Sequence, residues 1–201
     1  MLARNKTTLD HQRRQLAVFR RVLPSLDLKR RQLSGEVAAA RARLEETRRE
    51  LEGLVEAAGM RVPMAANEQI VLSGLVALKA VHLGEERHLG IVLPRLTGVD
   101  WEIAPYSRLA KPHWVDALIE ELRRIGELRV HEQVQRERAL RLGAGLTRTI
   151  QRINLFEKLL IPRAEDAIRR IRVALADAER DAVARAKIAK ARQLSVREVR
   201  A

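Results

Sequence analysis

Cysteine is absent from the 201 residues. Disulfides, thiol nucleophiles and cysteine-ligated zinc are therefore excluded. Aromatic residues number five: Phe19, Trp101, Tyr106, Trp114 and Phe156. So few large rings argue against an ordinary globular core. No apolar run approaches the roughly 20 residues needed to span a bilayer as a helix. The opening residues, Met1 to Lys6, lack the apolar segment of a secretory signal. A mitochondrial presequence is considered, because residues 1–26 are basic and Asp10 is the one acid there. The helical pattern runs through that stretch, so the segment reads as mature structure. The expectation is a soluble intracellular protein.

What is present is charge: 39 Lys or Arg against 26 Asp or Glu, a formal +13, with charged residues at 32%. Alanine, leucine, arginine and glutamate dominate, a mixture typical of long helices. An excess of basic residues points to a polyanion, an acidic protein surface or an acidic membrane as partner, and says nothing about fold.

The N-terminal segment keeps a seven-residue beat. Leu2, Leu9, Leu16, Leu23, Val37, Leu44, Leu51 and Ala58 share one phase, interrupted at Arg30. A second seam reads Asn5, Gln12, Phe19, Leu26, Leu33, Ala40, Thr47 and Leu54. A sustained period of seven predicts a left-handed supercoil. The helix is expected from about residue 8 to 58, with a kink at Pro24 and a stop at Gly59 and Pro63.

The C-terminal half carries a matching stripe: Leu146, Ile150, Ile153, Leu160, Ala164, Ile168, Ile171, Leu175, Ala178 and Ala182, with a gap at Glu157. Val115, Leu118, Leu122, Ile125 and Leu128 extend it upstream. One helix is expected from about Pro112 to Arg192, bent at Pro162 and weakened by about 1 kcal/mol at each of Gly143 and Gly145. Two such stripes bury each other by folding back as an antiparallel pair, or pair between copies in a homo-oligomer. The pattern fits both.

Between them, Gly74, Gly84, Gly90, Gly98, Pro63, Pro94 and Pro105 mark a different region. Leu75–Leu83 and His88–Leu93 have strand character around Gly84-Glu85-Glu86, which reads as a turn. The division is thus an N-terminal coiled-coil helix at 1–59, a connecting region at 60–111 with a hairpin near 75–94, and a C-terminal helix with a basic tail at 112–201. The fold class is mainly α: two long helices in an antiparallel left-handed coiled coil with a short β-hairpin. Its core residues are expected to include Leu9, Leu16, Leu26, Leu33, Leu44, Leu51, Ile153, Leu160, Ile168, Ile171 and Leu175.

The charge is concentrated at the chain ends. Residues 1–35 hold nine basic and two acidic side chains, and residues 180–201 hold seven and two. Together they supply +12 of the +13. An antiparallel fold-back would bring these ends together as a positive tip. The plainer account is that basic residues only solubilise the ends of a coiled coil.

Motifs for chemistry are missing. The five histidines, His11, His82, His88, His113 and His131, do not form the H-E-x-x-H spacing. His82 and His88 flank Glu85 and Glu86, which a solvated hairpin explains better than a metal does. Gly143-Ala144-Gly145 lacks the third glycine of a dinucleotide fingerprint and sits in a helical pattern. No Walker-type phosphate loop occurs, and Asp10, Asp27, Glu45 and Glu46 fall on solvated faces. No catalytic residue, metal ligand or cofactor is expected. A nucleic-acid-binding coiled coil and a self-assembling scaffold remain the alternatives. Against the former, both basic ends lack aromatics for stacking apart from Phe19, which lies on a seam.

Gln151-Arg-Ile-Asn-Leu-Phe-Glu-Lys-Leu-Leu-Ile-Pro-Arg163 resembles the signature of the D subunits of V-type rotary ATPases, in particular a bacterial branch. Asp166-Ala-Ile-Arg-Arg-Ile-Arg172 and Arg185-Ala-Lys-Ile-Ala-Lys190 are similar to that family's C-terminal helix. Asn5-Lys-Thr-Thr-Leu9, Leu23-Pro-Ser-Leu26 and Leu28-Lys-Arg30 fit its start, and His88–Pro94 and Lys111–Asp116 its middle region and second helix. Ala164 departs from it, where some relatives carry a larger residue.

The resemblance implies a central rotor shaft without catalytic residues or cofactors. Its termini would stand in a hexamer of catalytic A and B subunits. The F subunit would clasp it, and its base would rest on the C (or d) subunit at the membrane ring. The resemblance thus implies a part in ATP synthesis and proton or ion transport, a cytoplasmic place peripheral to the inner membrane, and no direct contact with nucleic acid. Arg4, Lys6, Arg13, Arg14, Arg185, Lys187, Lys190 and Arg192 are the candidate contacts with the hexamer.

Overall fold

The structure, a computed structural model, describes residues 5–66, 74–105 and 113–199, without the side chains of 65–66 and 191–199. Helix α1 runs Lys6–Arg61, strand β1 Val76–His88, strand β2 Ile91–Ile103, helix α2 Trp114–Leu155 and helix α3 Ile161–Val199. A short 3-10 turn covers Pro63–Ala66, and a π-helical turn, Phe156–Leu160, joins α2 to α3. Tyr106 and the segments 67–73 and 106–112 lie outside the described residues.

Asn5 lies on the second seam by sequence, but the structure uses it as the N-cap of α1. Its side-chain oxygen accepts the backbone N–H of Thr8 at 2.7 Å, which satisfies one of the first orphan donors. At the other end Pro63 supplies no donor, and the helix closes with Val62 N–H donating to the Ala58 carbonyl at 3.0 Å. Gly59, expected as the stop, is inside the helix. The helix also continues through Pro24.

The chain divides into two compact units. The first comprises residues 1–28 and 149–201. Here α1 and α3 run antiparallel: Leu9 packs with Ile168 and Ile171, and Leu16 and Leu175 border this cluster. Further along α1, Phe19 meets Phe156 edge to face, with ring centroids 5.5 Å apart at 76°. Phe156 therefore fills the place that the stripe leaves empty at Glu157. At the π turn the Ile161 N–H reaches back five residues to the Phe156 carbonyl. Pro162 follows at once. A proline ring crowds the carbonyl four residues back and brings no N–H, so a wider turn just before it relieves both demands. Ile153 is buried here, but Ile150 is 39% exposed and Thr149 is buried instead. Hydrophobicity picked the wrong one of two adjacent positions.

The second unit comprises residues 29–148. Here α1 and α2 run antiparallel, with Arg48 Nε donating to Glu132 at 3.0 Å and Arg61 paired to Glu121. The Glu132 bond, helped by Glu45, raises the Arg48 pKa above its ordinary value. Leu33, Val37 and Ala40 of α1 pack with Leu142 of α2 and with Leu93 of β2. Leu44 is buried, and Leu51 and Leu54 are half-buried. A second cluster joins Leu75 to Val115 and Ile119. Leu122, placed on the stripe by sequence, is 37% exposed.

β1 and β2 form one antiparallel two-stranded sheet, with bulges at Leu78/Ala80 and His82/Leu83. Its turn is Leu89-Gly90, both with positive φ (50° and 78°), which matches the right-handed twist of the strands. The turn expected at Gly84-Glu85-Glu86 is therefore corrected: these residues pair with Arg95, Pro94 and Leu93 inside the ladder. A leucine at φ +50° costs roughly 1–2 kcal/mol. Leu89 also packs against the Leu33/Leu93 cluster, and that contact offsets the strain.

The hairpin lies along α2. Arg138 donates to the Pro94 carbonyl at 2.8 Å and to Glu86 at 3.1 Å, and Arg141 to the Val92 carbonyl at 3.3 Å. Two helical glycines receive its side chains. A β-carbon on Gly126 would overlap the Trp101 ring, and one on Gly145 would overlap the Ile91 side chain. Gly143 has nothing within 4 Å of such an atom. Gly145 is thus a socket, where the sequence showed only a weak helix position.

These glycines should respond oppositely to alanine. Gly143→Ala is expected to gain up to about 1 kcal/mol of stability from helix propensity. Gly126→Ala is expected to lose about 1–3 kcal/mol through overpacking of the Trp101 ring, and Gly145→Ala to lose less, because the Ile91 Cδ1 it meets ends a side chain that can turn aside. Thermal melts followed by circular dichroism check this, and equal gains at all three positions would remove the sockets. A second expectation concerns Pro24. Its substitution by alanine restores a backbone donor toward the Arg20 carbonyl and should raise the melting temperature; a lower one would show that the proline suits its site.

Candidate interaction surfaces

The first three turns of α1 present Lys6, Arg13 and Arg14 to solvent. Asp10 lies 3.8 Å from Arg13, a one-turn surface pair of small energetic weight. On α3, packing against α1 ends at Leu175, and every residue from Ala176 to Lys190 is exposed. Arg185, Lys187 and Lys190 stand on this part. At 1.5 Å per residue they lie about 15–22 Å past Leu175 along the helix. Ala178 and Ala182, assigned to the buried stripe by sequence, are exposed here, as are Val183 and Ile188. The fold therefore gathers Lys6, Arg13 and Arg14 on one stretch of α1, and carries the α3 cations beyond the α1–α3 core. Arg4 lies outside the described residues, as does the side chain of Arg192.

Of the core residues named from sequence, Leu9, Leu33, Leu44, Ile153, Ile168 and Ile171 are buried. Leu16, Leu26, Leu51, Leu160 and Leu175 are half-buried.

The sequence reading missed Arg20, Arg169 and Arg172, which share one groove with Arg13 between α1 and α3. Arg20 donates to Glu165 at 2.6 Å across that groove. Only the antiparallel register brings residues 145 positions apart into reach, and no local pattern in the sequence carries that information.

Other titratable groups form pairs. His82 lies 2.8 Å from Asp100, and His88 lies 3.3 Å from Glu36. Glu121 is buried beside Arg61. No group of three or more His, Asp or Glu side chains is placed to hold a metal ion among the described residues. No helix among them is long and apolar enough to cross a membrane.

Residues 8–191 match the family described as the ATP synthase D subunit. A relative from Borreliella burgdorferi, named as the D subunit of a V-type ATP synthase, is 30% identical over 185 residues, covering 92% of this chain and 91% of its own. Proteins of the same name from Chlamydia felis and Chlamydia trachomatis serovar A are 29% and 27% identical, over 88% and 92% of this chain and 86% and 92% of theirs. The family match and the near-complete cover of these relatives agree with a mainly helical fold built on long helices and one hairpin, and the chain belongs to the ATP synthase D-subunit family.

Proposed function

We propose that the chain is the non-catalytic central-stalk rotor component of a V-type ATPase or ATP synthase. In this reading it transmits torque between a catalytic hexamer of A and B subunits and the membrane ion-translocating ring. The F subunit binds its side, the C (or d) subunit receives its base, and it touches the membrane only through the complex. It works on the cytoplasmic face of the inner membrane, in the soluble catalytic sector.

The observation that carries this reading is the solitary, basic end of α3. From Ala176 to Lys190 the helix exposes every side chain, including Arg185, Lys187 and Lys190. A helix that long without a packed face draws little stability from its own propensity, because most helical stability in proteins comes from tertiary packing. It suits a segment that is enclosed in a complex. Its cations, with Lys6, Arg13 and Arg14 of α1 and with Arg4 and Arg192, are the proposed contacts with the hexamer bore. Long charged side chains reach many acceptors in turn, so such contacts can change as the shaft turns.

The test is to assemble the complex with all eight of these side chains changed to glutamine. Coupling of ATP hydrolysis to ion transport is expected to fall sharply, while each single change alters it by less than about fivefold, since exposed ion pairs contribute about 0–1 kcal/mol. Normal torque and coupling in the eightfold variant would sink the proposal.

A further inference from the structure

The groove between α1 and α3 in the first unit is open, with a volume of about 620 Å³. Leu16 and Ala17 of α1 and Ile168 and Val173 of α3 line it with apolar surface. Val173 is 57% exposed, although it sits beside the packed seam. Arginines stand on both walls: Arg13 and Arg20 on α1, Arg169 and Arg172 on α3. Glu165 is the one acid in the lining.

We propose that this groove docks an acidic amphipathic helix from another protein of the complex. The inference rests on the rotor reading above, because it takes the occupant from the same assembly.

Shape and charge both select this occupant. Two packed helices leave a furrow between their side-chain ridges, and a third helix lays its own ridge there. An extended peptide would bring backbone N–H and C=O groups onto walls whose own backbone is spent inside helices, leaving them unpaired. A helix satisfies its backbone internally and offers apolar side chains to Leu16, Ala17 and Val173. The lining runs over residues 13–20 of α1 and 165–173 of α3, or roughly 10–12 Å, which a segment of two to three turns fills.

The arginines favour carboxylates. Arg172 makes no hydrogen bond or ion pair among the described residues. Among the described residues, Arg13 and Arg169 have only the local acids Asp10 and Asp166 one turn away, and Arg20 has the exposed Glu165. Such exposed pairs are weak. A carboxylate on a docked helix, with the apolar floor removing water around it, gains more from the same guanidinium. A nucleic acid would neutralise the arginines but leave the apolar floor unmatched.

The experiment uses the full chain in its assembled complex, with the photo-crosslinking residue p-benzoylphenylalanine replacing Ala17 or Val173. Both positions are expected to attach to one helical segment of one partner protein, with acids on one face and apolar residues on the other. Arg172→Glu should lower both yields by about fivefold, a typical effect for a charge at an interface rim. The reverse change, an acid to arginine in the captured segment, should restore them. Far-UV circular dichroism keeps loss of fold apart from loss of docking. Crosslinks scattered over several proteins, crosslinks to nucleic acid, or none at all in an assembled complex would overturn this inference and leave the rotor reading standing. Failure of the unmodified chain to assemble with catalytic subunits would overturn both.

Discussion

A long helix with apolar side chains at every third and fourth position cannot bury them by itself. In this chain the rest follows from how that demand is met. α1 satisfies it against α3 in one unit and against α2 in the other, antiparallel each time. The antiparallel register then decides which side chains meet. It sets Phe19 on Phe156, Arg20 on Glu165 and Arg48 on Glu132. In the second unit α1 and α2 do not close their core alone. Leu93 of the hairpin is almost fully buried between their side chains, and Leu89 and Ile91 seal its edge. A two-stranded hairpin is marginal in water, so its stability is borrowed from this contact.

The same demand explains where the charge can go. Arginine is excluded from most of the seams and accumulates on the open faces and at the ends. There, single pairs contribute little and the collective field counts for more. Packing on α3 stops at Leu175 while the helix continues, and among the described residues the charge beyond it has only the exposed one-turn pair of Arg180 with Asp177 at 3.6 Å. A partner that surrounds this part can use every side of it. The groove with Arg20 and Arg172 is different in kind, because its apolar floor and charged walls have a definite width and so favour a definite occupant.

The legible parts of the fold were those governed by one-dimensional periodicity. The seams of α1 predicted its buried side chains from Leu9 to Thr47, and the stripe found Ile153, Ala164, Ile168 and Ile171. Where two adjacent residues could each continue the stripe, hydrophobicity misled: Ile150 is exposed and Thr149 buried. The π turn also escaped, because Pro162 announces a disturbance but not its form. The hairpin turn was misplaced for a related reason. Gly84-Glu85-Glu86 has the composition of a turn, whereas Leu89 is a residue that normally avoids positive φ and is held there by packing. For the candidate surfaces, the charge excess at the ends was visible as composition. The groove was not, since its walls come from segments about 150 residues apart.

The helical class, the two seams, the basic ends and the absence of cysteine chemistry can all be read from the chain, because each depends on residue type or on spacing along a single helix. The tertiary structure alone decided which helix faces which, at what register, and where glycine is required. Gly126, Gly143 and Gly145 look alike in the chain, yet two of them receive Trp101 and Ile91 and the third receives nothing. The physical reason is that steric occupancy at a Cα is a property of the neighbouring element, and no local pattern records what another part of the chain will place there.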